Sequence, residues 1–123
     1  IAPDLTNEQL KDICSLTNEL QLKGLVATNT TISRDNLSST SIEQAKEIGM
    51  GGLSGYPLKK RSTEVLDYLN QYTNGNITLI GSGGVFTADD AKEKIHHGAK
   101  LIQVWTGFIY EGPFIVKKIC KYL

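Results

Sequence analysis

Residues 77–91 carry the sequence ITLIGSGGVFTADDA, and this stretch decides the fold. Its first four residues are apolar or β-branched, which predicts a buried strand. A glycine-rich turn at residues 81–84 follows at once, and Thr87 with Asp90 has the spacing of a helix N-cap. A strand that passes through a glycine turn into a capped helix is the repeating unit of a parallel α/β sheet.

The same unit occurs upstream of this stretch. Thr6 and Gln9 form a capping-box pattern at the start of a helix-periodic segment, and Gly24 has the position of a helix C-terminal glycine. The apolar residues 25–27 then predict a short strand that is buried on both faces. Residues 1–3 are interpreted as the end of a further strand, so the chain begins inside a βα unit.

The unit also repeats downstream. A helix is predicted from Ser62 to the Asn-Gly pair at residues 74–75, and Gly98 ends the helix that Thr87 begins. Residues 101–104 predict a fourth strand, and the Gly-Pro pair at residues 112–113 introduces a last helix. Four strands alternate with helices, which indicates a parallel sheet with right-handed crossovers.

A long segment, residues 29–61, separates the second strand from the following helix. It greatly exceeds the usual connection of about 4–6 residues. Since loops that leave the C-terminal ends of parallel strands build the active sites of α/β folds, we expect a functional loop or lid here. A variable surface insertion is the alternative.

Composition bounds the function. The chain has 123 residues and a mass of 13.5 kDa, with 13 basic and 13 acidic side chains, so its formal net charge is zero. That balance argues against a nucleic-acid partner, and no apolar run approaches the roughly 20 residues that span a bilayer. Two cysteines cannot form a disulfide framework. Because Met50 is the only methionine and the chain opens at Ile1 without a signal-peptide pattern, we expect residues 1–123 to be one part of a larger domain.

Three groups of residues could bind a ligand. Gly83 and Gly84 follow one strand, and Trp105 and Thr106 follow the next. Small, donor-rich loops after adjacent strands match the phosphate site after strands 7 and 8 of a (β/α)₈ barrel. A glycine turn used only for packing is the alternative. The helix that begins at Thr87 is expected to supply free N–H groups to that phosphate.

The other two groups lie after the second strand. Asn29, between Thr28 and Thr30, can donate to and accept from a planar amide or pyrimidine edge, but turn formation explains it equally well. Ser54 and Gly55 belong to the glycine-rich run GGLSG, which we interpret as backbone wrapped round a ligand, with a mobile hinge as the alternative.

Several other reactive side chains have simpler explanations. His96 and His97 are adjacent on a helix, point apart and are expected to be exposed. The basic run at residues 59–61 is expected to lie on a solvated rim. Cys14 and Cys120 fall within helical patterns without a neighbouring base, so both are interpreted as packing residues.

The motifs together resemble one enzyme family. In order, the sequences IAPDL (1–5), TNTTISR (28–34), GGLSG (51–55) and GSGGV (81–85) resemble dihydroorotate dehydrogenase of the quinone-dependent, membrane-associated class. The resemblance covers essentially the whole chain. It implies an FMN-containing (β/α)₈ barrel that oxidises dihydroorotate to orotate in pyrimidine synthesis, with a quinone as electron acceptor. It places residues 1–123 in the C-terminal half of that TIM barrel, as its last four βα units.

The resemblance also implies roles for individual residues. Asn29 and Thr30 would hydrogen-bond the pyrimidine substrate. FMN would be contacted by a set that joins the end of the second strand, the long segment and the two phosphate turns: Thr28, Ser54, Gly55, Gly83, Gly84, Trp105 and Thr106. Position 105 departs from the family, which usually has tyrosine there; a backbone amide contact survives the change and a phenolic hydroxyl does not.

The resemblance further implies what these residues lack. The catalytic serine base would lie in an earlier loop, so residues 1–123 hold no catalytic base and would not turn over alone. The quinone site and the membrane contact would lie in an N-terminal part, at the mitochondrial inner membrane in a eukaryote. A half barrel would expose apolar faces and strand edges, so aggregation or pairing with a second fragment is expected. A complete flavodoxin-like domain that binds a phosphate ligand without catalysis, or another phosphate-binding barrel enzyme, are the alternatives.

Overall fold

The computed structural model describes residues 1–35 and 37–123. Asn36, inside the long segment, lies outside the described residues. The described elements, in chain order, are α1 (Asn7–Glu19), β1 (Gly24–Ala27), α2 (Ser39–Ile48), a 3₁₀ turn (Tyr56–Leu58), α3 (Lys59–Tyr72), β2 (Thr78–Ser82), α4 (Ala88–His96), β3 (Ala99–Gln103), α5 (Thr106–Glu111) and α6 (Ile115–Tyr122).

The strands form one parallel sheet in the order β1-β2-β3, as the alternating pattern predicts. A fourth strand at residues 1–3 is wrong for the described chain. Pro3 has no N–H to donate to a ladder, and the chain turns at residues 3–4. Ile1 is still fastened beside β1, because its amino group donates to the Val26 carbonyl at 2.9 Å and its carbonyl accepts from the Asn29 amide at 2.8 Å.

Two apolar clusters hold the helices on the sheet. The larger lies where α1 and α3 pack together beside β2, and the smaller joins α4 to α6. Burial of such side chains contributes roughly 1.5–3 kcal/mol each, so these clusters are the main source of stability. Fully buried members of the larger cluster include Leu10, Cys14, Val65, Leu66, Leu69 and Leu79, and the smaller contains Val85, Ala91, Ile115 and Ile119.

Two helix boundaries differ from the sequence prediction. α3 begins at Lys59 rather than Ser62, because the 3₁₀ turn with Pro57 leads directly into it. Gly24 does not end α1, which closes at Glu19; it opens β1, where a Cβ would lie 2.4 Å from the Thr78 carbonyl oxygen. The glycine therefore permits close strand pairing.

The sequence pattern does not predict two of the helices, α2 and α5. α2, inside the long segment, has no buried residue: its apolar side chains at Ile42, Ala45 and Ile48 are half-buried or exposed, and the sequence prediction treats residues 29–61 as one loop. α5 is only six residues long, which is too short for a periodic signal.

The basic run at residues 59–61 is not a uniformly solvated rim. Only Lys60 is fully exposed. Lys59 is half-buried, and Arg61 donates to the carbonyls of Pro3 and Leu5, each at 2.9 Å, which fastens the N-terminal segment to α3.

The histidines and cysteines follow the prediction in part. His96 is exposed, but His97 contacts the Asp67 carboxylate at 3.0 Å. Cys14 is a buried packing residue; Cys120 is exposed, because it faces away from the side of α6 that packs on α4. Both thiols are free.

Lys94 of α4 is a buried lysine, with 1% of its surface exposed. Its ammonium donates to the hydroxyls of Ser62, at 2.7 Å, and Thr63, at 3.2 Å. Burial lowers the pKa of Lys94 to about 8, from an ordinary value of 10.5.

This burial predicts a pH dependence of stability. Between pH 8 and 10.5 the unfolded chain binds more protons than the folded chain, so the free energy of unfolding rises with pH, by about 3 kcal/mol in total. Lys94→Met removes that contribution. Denaturant unfolding of the full-length wild type and of the Lys94→Met variant at pH 7.5 and pH 10 measures this pH dependence. The variant should have the higher free energy of unfolding at pH 7.5, and this difference should shrink at pH 10. Parallel pH curves for the two proteins would contradict this.

Candidate functional site

A cleft of about 790 Å³ opens at the C-terminal ends of the three strands. Parallel strands bring these ends to one edge of the sheet, where ligand sites of α/β proteins form. Its size suits a small-molecule ligand. All nine residues predicted to bind substrate or cofactor line it: Thr28, Asn29, Thr30, Ser54, Gly55, Gly83, Gly84, Trp105 and Thr106.

Thr28 contributes an unpaired hydroxyl to the cleft. The Ala27–Thr28 peptide bond at the end of β1 is cis, and the Thr28 amide donates to the Ser82 carbonyl at 2.9 Å. The residue is 3% exposed, and its Oγ1 has no hydrogen-bond partner among the described residues. A buried hydroxyl without a partner is costly, so this atom is suited to a polar ligand group.

Asn29 and Thr30 are exposed within the cleft. The Asn29 side-chain oxygen accepts from the Thr30 amide at 2.8 Å. This bond fixes the carboxamide, and its two N–H donors have no acceptor among the described residues, so they can face a ligand. The turn-forming and ligand-binding interpretations of Asn29 are thus compatible.

The long segment is fastened at its base. Thr31 and Leu53 form an antiparallel bridge through bonds of 3.0 and 2.7 Å, and Arg34 donates to the Gly51 carbonyl at 2.6 Å. Asp4 accepts from the Thr31 hydroxyl and from the following amide. The stretch that carries GGLSG is therefore held against the end of β1.

Ser54 and Gly55 close the cleft on the opposite side. The Thr106 hydroxyl lies 2.9 Å from the Ser54 hydroxyl and donates to it, which joins the long segment to the start of α5. Gly55 has a φ of +85°, and a Cβ there would lie 3.1 Å from Thr106 Cγ2. The close approach of these two segments explains the glycine.

The glycine turn after β2 is tightly enclosed. Gly83 and Gly84 have φ values of +102° and +70°. A Cβ on Gly84 would lie 2.5 Å from Cα of Lys59, and one on Gly83 would lie 2.9 Å from Leu58. Both glycines are required because the first turn of α3 packs directly on them.

Asp90 fills the N-terminus of α4. Its carboxylate accepts from the amides of Phe86 and Thr87 at 2.9 and 2.8 Å, and contacts Lys59 Nζ at 2.6 Å. Burial alone would raise the pKa of Asp90, but the bonds with Lys59 and these amides together lower it. The hydrogen bonds with Asp90, and then with Glu93, raise the pKa of Lys59.

This arrangement corrects one expectation. The Asp90 carboxylate binds the Phe86 and Thr87 amides just before α4, and neither Thr87 nor Ala88 lines the cleft, so the start of this helix does not face the cleft. The turn at Trp105 and Thr106 borders the cleft instead, packed so closely that a Cβ on Gly107 would lie 2.3 Å from the Val85 carbonyl oxygen.

Trp105 stands at the mouth of the cleft. It precedes α5, makes no side-chain cap bond and is 72% exposed. Its backbone lies beside Thr106 at the cleft edge, so a contact through the main chain is possible whatever the side chain.

Within the described residues, no group of three or more His, Cys, Asp or Glu side chains could hold a metal ion. A helix long and apolar enough to cross a membrane is also not found there. The cleft is instead suited to a polar organic ligand. It offers an unpaired hydroxyl, carboxamide donors and glycine turns that let a ligand approach the backbone. The fold and cleft define an α/β protein with a ligand site at the C-terminal edge of a parallel sheet.

The comparisons with known proteins give the family. Residues 1–123 match the dihydroorotate dehydrogenase family. Dihydroorotate dehydrogenase (quinone) of Christiangramia forsetii is 53% identical over 119 residues, and the enzyme of that name from Pseudarthrobacter chlorophenolicus is 50% identical over 123. The chain belongs to the dihydroorotate dehydrogenase family, as the four sequence motifs predict.

Solved structures agree. The dihydroorotate dehydrogenase of Eimeria tenella in complex with ferulenol superposes with a TM-score of 0.89 at 42% identity, over 100% of this chain and 32% of that one. The alignments cover 97% and 100% of this chain but 34% of each curated relative. The chain thus spans about a third of the length of the proteins it matches.

Sequence reasoning missed the support beneath the glycine turn. Lys59 and Asp90 were predicted to lie on a solvated rim and at a helix cap, yet together they brace the turn from α3 and α4. Their separation along the chain hides the pair. The one local signal is the position of Lys59 directly after Pro57 and Leu58, at the start of a helix.

Alanine substitutions at two glycines test whether close packing, rather than backbone conformation alone, prevents the Gly83-Gly84 turn from accepting a side chain. Gly84 and Gly112 have similar φ values, +70° and +76°, but no atom lies within 4 Å of a Cβ on Gly112. Gly112→Ala should cost about 1–3 kcal/mol through its backbone conformation alone, because its φ of +76° and ψ of −175° define a region that is nearly exclusive to glycine. Gly84→Ala should cost at least about 2 kcal/mol more through overlap with Lys59. Denaturant unfolding of both full-length variants measures this, and equal losses would contradict the enclosure.

Proposed function

We propose that this chain belongs to the C-terminal half of a (β/α)₈ barrel, with β1, β2 and β3 among its last strands, in a quinone-dependent dihydroorotate dehydrogenase. The full-length protein would oxidise dihydroorotate to orotate in pyrimidine synthesis and pass the electrons to a quinone. The observation that carries the proposal is the convergence of all nine predicted site residues on one cleft. Membership of the dihydroorotate dehydrogenase family supports it.

The cleft fits FMN as the cofactor, which when bound supplies the acceptor for the substrate's hydride. The Gly83-Gly84 turn and the Trp105-Thr106 turn would hold its phosphate, since both line the cleft at the ends of neighbouring strands. Thr28 would bond a polar atom of the flavin through its unpaired hydroxyl. Ser54 and Gly55 would contact the flavin from the long segment, which the Ser54–Thr106 bond fastens over the cleft.

Asn29 and Thr30 would orient the pyrimidine. The fixed carboxamide of Asn29 presents two N–H donors to the carbonyl or carboxylate oxygens of dihydroorotate. Its role is binding and orientation, because a neutral carboxamide cannot take up the substrate's proton.

The remaining functions would lie in other parts of the full-length protein. A catalytic base, the quinone site and the membrane contact would be supplied there, with residence at the mitochondrial inner membrane in a eukaryotic cell. We therefore expect no turnover from residues 1–123 alone. A flavodoxin-like, non-catalytic binding domain is not favoured, because the family match extends over the whole chain.

The unpaired hydroxyl of Thr28 gives a test of flavin binding. Thr28→Val keeps the shape of the side chain and removes the costly buried hydroxyl. The flavin-free full-length protein should be as stable as the wild type or more so, whereas its affinity for FMN should fall by about five- to tenfold through loss of one hydrogen bond. Fluorescence titration and thermal unfolding measure the two effects.

Thr73→Val is the matched control for Thr28→Val. Thr73 is equally buried, but its hydroxyl donates to the Leu69 carbonyl at 2.7 Å, away from the cleft. This variant should lose about 1 kcal/mol of stability and keep its FMN affinity. An unchanged FMN affinity in Thr28→Val would remove Thr28 from the cofactor site.

The proposed reaction is tested through Asn29. Asn29→Asp keeps the oxygen that accepts from Thr30 but removes both N–H donors and adds a charge that repels the substrate carboxylate. In the full-length, FMN-loaded protein, the KM for dihydroorotate should rise at least about tenfold while the FMN content stays unchanged.

Asn74→Asp is the matched control, since Asn74 is exposed at the end of α3 and does not line the cleft. It should retain the wild-type KM. A wild-type full-length protein that reduces no quinone with dihydroorotate would contradict the proposed function, and an unchanged KM in Asn29→Asp would contradict the role of Asn29.

A further inference from the structure

Lys94 lies behind the glycine turn, and no part of the proposed reaction uses it. Its ammonium is buried, and the two acceptors that it contacts among the described residues are neutral hydroxyls, those of Ser62 and Thr63. None of the ion pairs in the described chain includes it. A buried cation without a carboxylate partner is costly, so its retention calls for a compensating role.

Ser62 connects this ammonium to the turn. The Ser62 hydroxyl lies 3.1 Å from the Gly83 carbonyl oxygen and 2.9 Å from that of Lys59. Because an ammonium can only donate, Ser62 Oγ must accept from Lys94, and its single proton is directed towards these two carbonyls. Lys94 therefore orients the hydroxyl that holds α3 and the glycine turn together.

Thr63 does not make this connection. Its hydroxyl accepts from Lys94 and donates to the Lys59 carbonyl at 3.0 Å, with no bond to the turn. The two hydroxyls are thus similar in burial and in their contact with Lys94, but only Ser62 reaches Gly83.

The charge of Lys94 also lies close beneath the cleft. A Cβ on Gly81 would lie 3.1 Å from Lys94 Cδ, so the aliphatic part of the lysine packs against the C-terminal end of β2. The next residue, Ser82, lines the cleft. Successive strand residues face opposite sides, which places the ammonium and the cleft on either side of one strand end. The carboxylates of Asp90 and Glu93 offset part of this charge, and the rest favours an anion in the cleft, since charges interact strongly through a dry interior.

We propose that Lys94 is a positioning residue for the cofactor phosphate. Through Ser62 it sets the Gly83 carbonyl and thereby the turn of Gly83 and Gly84, and its charge favours the phosphate from beneath. This inference rests on the proposed function, because it names the residue that prepares the FMN phosphate site. Lys94 does not touch the cofactor.

FMN and riboflavin distinguish this role from a merely structural one, because they differ only in the phosphate. Flavin-free full-length protein is titrated with each ligand by fluorescence, as wild type and as three variants. Lys94→Met should weaken FMN binding by about tenfold or more and riboflavin binding by less than about twofold. Ser62→Ala should weaken FMN binding by about threefold or more, again with little effect on riboflavin.

Thr63→Val is the matched control and should leave the ratio of FMN to riboflavin affinity at the wild-type value. Thermal unfolding supplies a second readout. Lys94→Met replaces a buried cation that has no carboxylate partner, so it should not lower the thermal unfolding midpoint of the flavin-free protein. Unchanged or higher stability should therefore accompany weaker FMN binding.

The outcomes are separable. A wild type that prefers FMN to riboflavin, together with a Lys94→Met variant that keeps this preference, would overturn the role of Lys94 alone. Equal losses for both flavins would mean that Lys94 supports only the fold, and would also overturn it. If Lys94→Met fails to fold, Ser62→Ala against Thr63→Val decides by the same ratio. A wild type that binds neither flavin contradicts the proposed function itself, and this inference falls with it.

Discussion

The ion pair between Lys59 and Asp90 joins the first turns of α3 and α4 across the glycine turn, and the cleft depends on it. Lys59 Nζ lies 2.6 Å from the carboxylate, whose other oxygen holds the amides at the start of α4. Gly84 packs against the backbone of Lys59 itself. The turn is thus held by charge and by contact at once, which preorganises its backbone for a ligand.

The second constraint is the parallel sheet. Because β1, β2 and β3 run in one direction, the segments that follow them meet at a single edge. Residues separated by more than seventy positions, such as Thr28 and Thr106, therefore line one cleft. The long segment is part of the same construction, since the Thr31–Leu53 bridge and the Ser54–Thr106 bond fasten it at both sides.

Local signals allowed much of this to be predicted from the sequence. The capping boxes at Thr6 and Thr87 are both present, and the β-branched run before Gly81 is a central strand. Candidate ligand-binding residues next to strands could be predicted in the same way, because the residues that follow a strand must lie at its end. The α/β class and nine of the residues that line the cleft are therefore predictable from the motifs and the family resemblance, whereas its apolar lining from residues such as Ile1, Leu58 and Phe108 is not.

The parts that could not be predicted depend on contacts between distant residues. α2 lies inside the long segment that is predicted as a loop, and it buries no side chain. Nothing local to Lys94 shows that it is buried, and the paired roles of Lys59 and Asp90 arise only when α3 and α4 pack together. The free N–H groups expected from α4 are absent from the cleft because the start of this helix does not line it, which depends on how α4 packs and not on its own sequence.

The most direct test of the account is a crystal structure of the full-length protein with FMN and orotate bound. The account predicts the phosphate within hydrogen-bond distance of Gly84 and Thr106, a flavin atom bonded to the Thr28 hydroxyl, and the pyrimidine against Asn29. A flavin bound outside this cleft, or a phosphate held at the N-terminus of α4, would contradict it.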